Sequence, residues 1–170
     1  MEGVKFWQST PKLDARGSFV KSYTHQISDL DTPFQLHEVF TSISQAGVVR
    51  GFHLQTGVSE NFRIIQLLSG KVLDVLLDLR PDSATYLQFQ KRELEFGLNE
   101  TLLIPPGVAH GFQALEQSSM LYLTSSEWDP TNDTGVNPVM AGFTWPVQIT
   151  EISNRDKELP TLEQYVAEQS

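Results

Sequence analysis

Two of the four histidines in this sequence lie where chemistry could use them. His53 falls in Val48-Val49-Arg50-Gly51-Phe52-His53-Leu54-Gln55, just after an arginine and a glycine. His110 follows Pro105-Pro106-Gly107-Val108-Ala109 and precedes Gly111-Phe112. A glycine beside a polar residue in a strand often marks the close approach of a ligand or of another backbone. A neutral imidazole oriented by a carboxylate is a good general base near pH 7, and a tyrosine across a pocket could return the proton. The carboxylates to consider are Asp74, Asp78, Asp129 and Asp156, and the tyrosines are Tyr86, Tyr122 and Tyr165; spacing does not choose among them. Arg16, Arg50 and Arg63 are the cations that could favour an enolate-like transition state or grip a phosphate. Each could equally form a surface ion pair of little consequence. His25 and His37 have no such context and read as structural or exposed.

A metal site is the first alternative to weigh. Small β-barrels of the cupin class carry histidine ligands in a Gly-x-His-x-His pattern followed by Pro-x-Gly-x-x-His. Pro106, Gly107 and His110 keep the later half, but Gln55 stands where the second histidine of the first half would be. Two imidazoles and an amide make a poor cage, because a catalytic site usually needs three good protein ligands. The sequence therefore predicts no metal and no other cofactor.

The elements that must position these groups are mostly strands. Residues 1–21 suggest two short strands about a turn at Asp14-Ala15-Arg16-Gly17, and residues 25–33 a short helix or a polar loop. Alternation returns at residues 35–44 and 48–55, then at 63–68 and 71–79 across the Ser69-Gly70 hairpin turn. Further strands are expected at residues 85–94, 101–104, 108–115 and 119–125. The chain then becomes loop-like after Trp128-Asp129-Pro130, with one short helix at residues 159–168. Many short strands at regular spacing predict a closed or two-sheet all-β domain.

Composition sets the outer limits. With 170 residues and 39% hydrophobic content, the chain is expected to form one globular domain over residues 1–170. It has no cysteine, which removes disulfides and thiolate chemistry. A net charge of −9 argues against nucleic acid as a partner. No apolar run reaches membrane-spanning length and no signal-peptide pattern opens the chain, so a cytoplasmic protein is expected, with no membrane partner.

Several motifs occur together in a telling order: Arg50-Gly51-Phe52-His53-Leu54-Gln55, Asp74 to Arg80, Ser83-Ala84-Thr85, Ile104 to Phe112, Leu121-Tyr122, Trp145-Pro146 and Ile152-Ser153-Asn154-Arg155-Asp156. In that order they resemble the dTDP-4-dehydrorhamnose 3,5-epimerase family, over a span from Arg16-Gly17 to Leu162. The resemblance implies an all-β, cupin-type jelly-roll (β-barrel or sandwich) with short peripheral helices. It implies a homodimer in which an N-terminal strand of each subunit reaches its partner. It also implies a metal-free epimerase that inverts C3, C5 or both in a nucleotide-linked 4-keto-6-deoxy sugar, in deoxysugar and cell-surface polysaccharide biosynthesis. On the same footing His53 matches the base, Asp156 the acid that orients it, Tyr122 the proton donor and Arg63 the position of an enolate-stabilising lysine. Arg50 matches a phosphate contact and His110 a sugar contact. Arg16 and Phe19 match the strand that approaches the nucleotide. Glu38, Gln55 and Trp128 complete the expected substrate contacts.

The chain also departs from the family pattern. Glu38-Val39-Phe40 replaces Gln-x-Asn, Arg63 replaces lysine, Glu127-Trp128 stands near the family's nucleotide-stacking tyrosines, and Lys21 replaces an acid. These departures leave three rival readings open: a keto-isomerase on a similar sugar nucleotide, a metal-dependent cupin enzyme, and a sugar-nucleotide-binding protein with impaired catalysis.

Overall fold

A computed structural model describes residues 1–24 and 34–169. The helix or loop expected at residues 25–33, and His25 with it, lie outside the described residues. The strands are β1 (Lys5–Gln8), β2 (Lys12–Asp14), β3 (Gly17–Phe19), β4 (Glu38–Ser44), β5 (Val49–Gln55) and β6 (Arg63–Ser69). They continue as β7 (Lys71–Asp78), β8 (Phe89–Glu95), β9 (Glu100–Ile104), β10 (Val108–Ala114), β11 (Ser118–Thr124) and β12 (Asp133–Gly135). Two short helices follow, α1 (Asn154–Glu158) and α2 (Leu162–Glu168). The first sheet runs β1-β9-β6-β11-β4 and the second β12-β5-β10-β7-β8, both antiparallel, while β2 and β3 form a separate hairpin. The two-sheet all-β architecture with short C-terminal helices is the one the sequence predicts.

Strand β7 shows why these residues fold this way. Val72 and Leu76 join a cluster with Ile65, Leu102, Phe112 and Met120, so they face the other sheet. Leu73, Val75 and Leu77 face the opposite way, against Val136, Trp145, Ile152 and Tyr165 of the C-terminal segment. A strand covered on both sides has no solvent face, which is why its sequence is nearly continuous in apolar residues. Asp74 shares the inward face with Val72 and Leu76 and is thereby carried into the space between the sheets.

Four elements differ from expectation for physical reasons. Strand β8 begins at Phe89, four residues later than predicted. The intervening Ser83 and Thr85 hydroxyls both donate to Asp78 Oδ2 at 2.6 Å, and Arg80 caps the same carboxylate. Burial alone would raise the Asp78 carboxyl, but those hydrogen bonds hold it well below the usual carboxylate range. Asp78 therefore organises a turn and leaves the set of candidate catalytic acids. Strand β12 lies inside the stretch expected to be loop, held by pairing with β5. Helix α1 was not expected; Ser153 accepts from the Asp156 N–H as its N-cap at 3.1 Å. Helix α2 begins at Leu162 rather than residue 159 because Pro160 precedes it and Thr161 with Gln164 forms a capping box.

The two histidine strands approach closely at Gly51 and Gly111. Gly51 has φ +130, and a Cβ there would lie 2.4 Å from the Gly111 Cα. A side chain at 51 would be strained in backbone and would force β5 from β10. Gly51→Ala is expected to cost about 2–3 kcal/mol. Thermal unfolding should show this as a midpoint drop of roughly 4–10 °C. An unchanged midpoint would show that the strands can separate without penalty.

Candidate active site

A cavity of about 560 Å³ opens between the sheets, within the size range of small-molecule sites. The second sheet contributes His53 and Gln55 from β5 and His110 from β10. The first contributes Glu38, Phe40 and Ser42 from β4, Arg63 from β6 and Tyr122 from β11. His53 and His110 are direct partners in the β5–β10 register, and Phe40 and Tyr122 are partners in β4–β11.

His53 is braced from near the C-terminus. Its Nε2 lies 2.8 Å from Asp156 Oδ1, while Asp156 Oδ2 accepts the Gly51 N–H at 3.2 Å. An ionised carboxylate accepts, so Nε2 carries the proton and Nδ1 keeps the lone pair. Burial pulls the imidazole below its ordinary value, and the Asp156 hydrogen bond and charge only partly oppose this. The ring is therefore a neutral base at pH 7. Burial would raise the Asp156 carboxyl, but His53 and the Gly51 N–H hold it lower than usual.

His110 makes a second imidazole–carboxylate pair, with Nε2 at 2.6 Å from Asp74 Oδ2 and both side chains buried. This pair answers where Asp74 belongs among the carboxylates. Tyr122 stands on the facing sheet. Its ring stacks on Phe40 at 4.7 Å between centroids and 10° between planes, and meets His110 edge-on at 6.2 Å. The Ser42 hydroxyl donates to the phenol at 3.4 Å, and the phenol reaches Met120 Sδ at 3.7 Å. Burial pushes the phenol up to about 12, against the Ser42 hydrogen bond and the charges of Arg50 and Arg63. It stays protonated, which suits a proton donor rather than a base.

Arg63 is fastened to both histidine strands. Nη1 donates to the His53 carbonyl at 2.9 Å and Nη2 to the Val108 carbonyl at 2.6 Å, leaving Nε buried without a partner among the described residues. Burial pulls the guanidinium down to about 10, with the Tyr122, Asp74 and Asp133 charges opposing. Gln55 shows the same pattern. Its Oε1 accepts the Asp129 N–H at 3.1 Å, and its buried Nε2 has no partner. A buried donor left unpaired in a cavity wall is a position for a ligand acceptor.

The remaining expected contacts divide. Arg50 lies at the cavity, bonding Ser44 Oγ at 3.0 Å and the Ile43 carbonyl at 3.2 Å. Trp128 lines the mouth at 59% exposure, and its N–H donates to Glu38 Oε2 at 3.0 Å. Arg16 and Phe19 are not brought to this cavity. They project from the β2–β3 hairpin, where Arg16 pairs with Asp14. His37 is exposed, Tyr165 belongs to the C-terminal core, and Asp129 braces a loop through Ser59 and Asn132. Asp133, Arg155, Ser42 and Phe112 line the cavity without having been singled out. Arg155 had a signal, since it adjoins Asp156, whereas Asp133 sat in a stretch with no readable periodicity. Among the described residues no group of three or more His, Asp or Glu is placed to hold a metal.

Comparison with known proteins adds an independent line. The family model described as dTDP-4-dehydrorhamnose 3,5-epimerase matches residues 1–164. The enzyme of that name from Salmonella typhimurium is 32% identical over 162 residues, covering 91% of this chain and 88% of its own. A Bacillus anthracis dTDP-4-dehydrorhamnose 3,5-epimerase, solved with TDP and PPi bound, superposes with a TM-score of 0.86 at 31% identity over 94% of each chain. A Legionella pneumophila 3,5-epimerase in complex with dTDP-4-keto-L-rhamnose gives a TM-score of 0.89 at 25% identity, covering 99% of this chain and 92% of that one.

The site geometry makes a pH prediction. Turnover that uses His53 as base should fall as pH drops through the depressed imidazole value, below the ordinary histidine range. It should hold through neutrality, where the imidazole is neutral and the Tyr122 phenol keeps its proton. In Asp156→Asn the charge that opposes the downward shift is gone, so the acidic limb moves lower still. The rate falls roughly 10²–10⁴-fold because the ring loses its oriented tautomer. A limb at or above the ordinary imidazole value would contradict this assignment of His53.

Proposed function

The chain belongs to the dTDP-4-dehydrorhamnose 3,5-epimerase family of carbohydrate epimerases, and from that premise we propose how it acts on its substrate. The chain, as one domain over residues 1–170, takes a nucleotide-linked 4-keto-6-deoxy sugar into the cavity between its sheets. It inverts C3, C5 or both. The 4-keto group acidifies the hydrogens on the neighbouring carbons. His53 Nδ1 removes one as a proton, and the electron pair moves onto the keto oxygen to give an enolate. The unpartnered Arg63 Nε–H and the Arg63 charge stabilise that oxygen, which needs fixed donors most when its charge develops. Tyr122 returns a proton to the carbon from the opposite face, and the carbonyl re-forms.

One observation carries this reading: a neutral imidazole braced by a carboxylate on one sheet faces a protonated phenol on the other across the cavity. Inversion needs base and acid on opposite sides of a planar carbon, and two facing sheets supply that directly. His110, held by Asp74, contacts the sugar. Arg50 takes the diphosphate, Gln55 Nε2 donates to a further acceptor, and Trp128 at the mouth meets the base, with Glu38 behind it. The enzyme works in the cytoplasm on a free nucleotide sugar.

Arg16 and Phe19 enter the same reading through a second copy. Leu13 and Phe19 on the hairpin are 76% and 58% exposed, and Val39 and Ile43 on β4, an edge strand, are 57% and 64% exposed. A homodimer would cover these residues and carry one subunit's hairpin toward the other's cavity.

The test is hydrogen exchange in heavy water. The wild type should place deuterium at the inverted ring carbons with the keto group unmoved; a migrated keto group would instead identify an isomerase. His53→Ala should reduce exchange at least about 10³-fold with the fold intact. Tyr122→Phe should slow net inversion more than proton loss. A wild type that binds the nucleotide sugar without any exchange would overturn the reading.

A further inference from the structure

The base is not braced by Asp156 alone. Arg155, the preceding residue, reaches two carboxylates with different nitrogens. Its Nη2 meets Asp133 Oδ2 in a very short contact, and its Nη1 lies 3.4 Å from Asp156 Oδ1. That Asp156 oxygen is the one holding His53. Asp133 sits on β12, which pairs with β5 so that Asp133 is opposite Gln55 and Gly135 opposite His53. The guanidinium therefore ties the strand beside the base to the helix that carries the base's carboxylate. Helix α1 is only five residues long. Its other attachments are few: the Gly51 N–H donates to Asp156 Oδ2 at 3.2 Å, Asn137 Nδ2 donates to the Lys157 carbonyl at 2.8 Å, and Lys157 makes an exposed pair with Glu151. A turn so short has little stability of its own, so its placement depends on such ties.

We propose that Arg155 is a positioning residue for proton abstraction, using Asp133 as a fixed post from which its planar fork holds Asp156 against His53. The inference rests on the proposed role of His53 as base. A lysine could not do the same, since a point charge lacks two divergent donors in a fixed plane. The ionisable groups around His53 are Asp156 and Arg155 on α1, Asp133 on β12, His110 on β10 with Asp74 behind it, and Arg63 on β6 at the His53 carbonyl. Within that set Arg155 opposes protonation of His53, while Asp133 and Asp156 favour it. The bridge thus sets both where the base points and when it is free.

Arg155→Met, Arg155→Lys and Asp133→Asn in the full-length chain test this. Ring ¹⁵N NMR follows His53 titration, assigned with His53→Asn, and kinetics give kcat, KM and the acidic limb of kcat/KM. In Arg155→Met, kcat should fall about tenfold with KM changed less than about twofold, and the His53 midpoint should move to higher pH. In Asp133→Asn, Arg155 is left to Asp156 alone and the midpoint should move to lower pH. Arg155→Lys should recover part of the kcat loss and keep the midpoint nearer the wild type. Midpoints that stay fixed, or that move together in Arg155→Met and Asp133→Asn, would overturn the proposal, even with activity lost. Should Arg155→Met fail to fold, Arg155→Gln, which also removes the charge, makes the same comparison with Asp133→Asn. A wild type without exchange at the sugar carbons would sink the functional reading alone, because the NMR titration needs no turnover.

Discussion

The hydrogen bond between His53 and Asp156 spans 103 positions in the chain, and much of the fold can be understood as what brings those two groups together. It needs β5 seated in the second sheet and the C-terminal segment packed beneath that sheet. It also needs α1 begun at the right residue by its Ser153 cap. Trp145, Ile152 and Tyr165 do the packing against Phe52, Leu73 and Val75 on the outer face. The core on that side is therefore also the support of the Asp156 carboxylate. A single bond, worth about 1.5–3 kcal/mol when charge-assisted, could not organise such a length of chain. The apolar surface buried around it does that, and the bond then selects one tautomer of the ring.

The cavity has a different balance of forces from the core that surrounds it. Buried donors normally find partners, yet Arg63 Nε and Gln55 Nε2 have none among the described residues, and both belong to side chains whose other polar atoms are tied down. That combination fixes where each free N–H sits before a ligand arrives. Preorganised donors of this kind need no reorientation as charge develops on a substrate oxygen. Arginine in place of lysine at position 63 makes sense in these terms. A planar fork can anchor to two backbone carbonyls and still have an N–H left over, which a flexible ammonium does not do as well. The substitution changes the shape of the donor while keeping its charge in the wall.

Much of this was legible in the sequence because strands announce themselves by alternation and glycine by its neighbours. His53 and His110 stood out through Gly51 and Gly111, and at those glycines β5 and β10 leave no room for a side chain. The apolar run of β7 revealed a strand buried on both faces. Pairing at long range was not legible: Asp156 could not be chosen over Asp78 or Asp129 by spacing, since each carboxylate is claimed by a different partner only in three dimensions. Resemblance to a family, not periodicity, selected it. Strand β12 and Asp133 were invisible because three residues with turn-like composition become a strand only by pairing with β5. Arg16 and Phe19 show the opposite limit, for the resemblance sends them to the nucleotide while the structure leaves them on the β2–β3 hairpin, away from the cavity.

The departures at Glu38 and Phe40 have a structural account that keeps the chemistry plausible. An acidic side chain in the cavity wall would repel an anionic ligand, but the Glu38 carboxylate accepts the Trp128 backbone N–H at the rim. On the facing sheet Gln55 Oε1 accepts the next amide, Asp129 N–H. Two consecutive peptide groups are thus gripped from both sheets, which sets the height of the Trp128 indole above the mouth. The charge at 38 has an architectural use at the edge of the cavity rather than at its floor. Phe40 lies over the Tyr122 ring and removes one face of it from water, which helps burial keep the phenol protonated. Replacing a polar wall residue by this ring also removes a hydrogen-bonding group beside the Tyr122 hydroxyl. The wall between Phe40 and the two histidines then offers less polar contact and more shape.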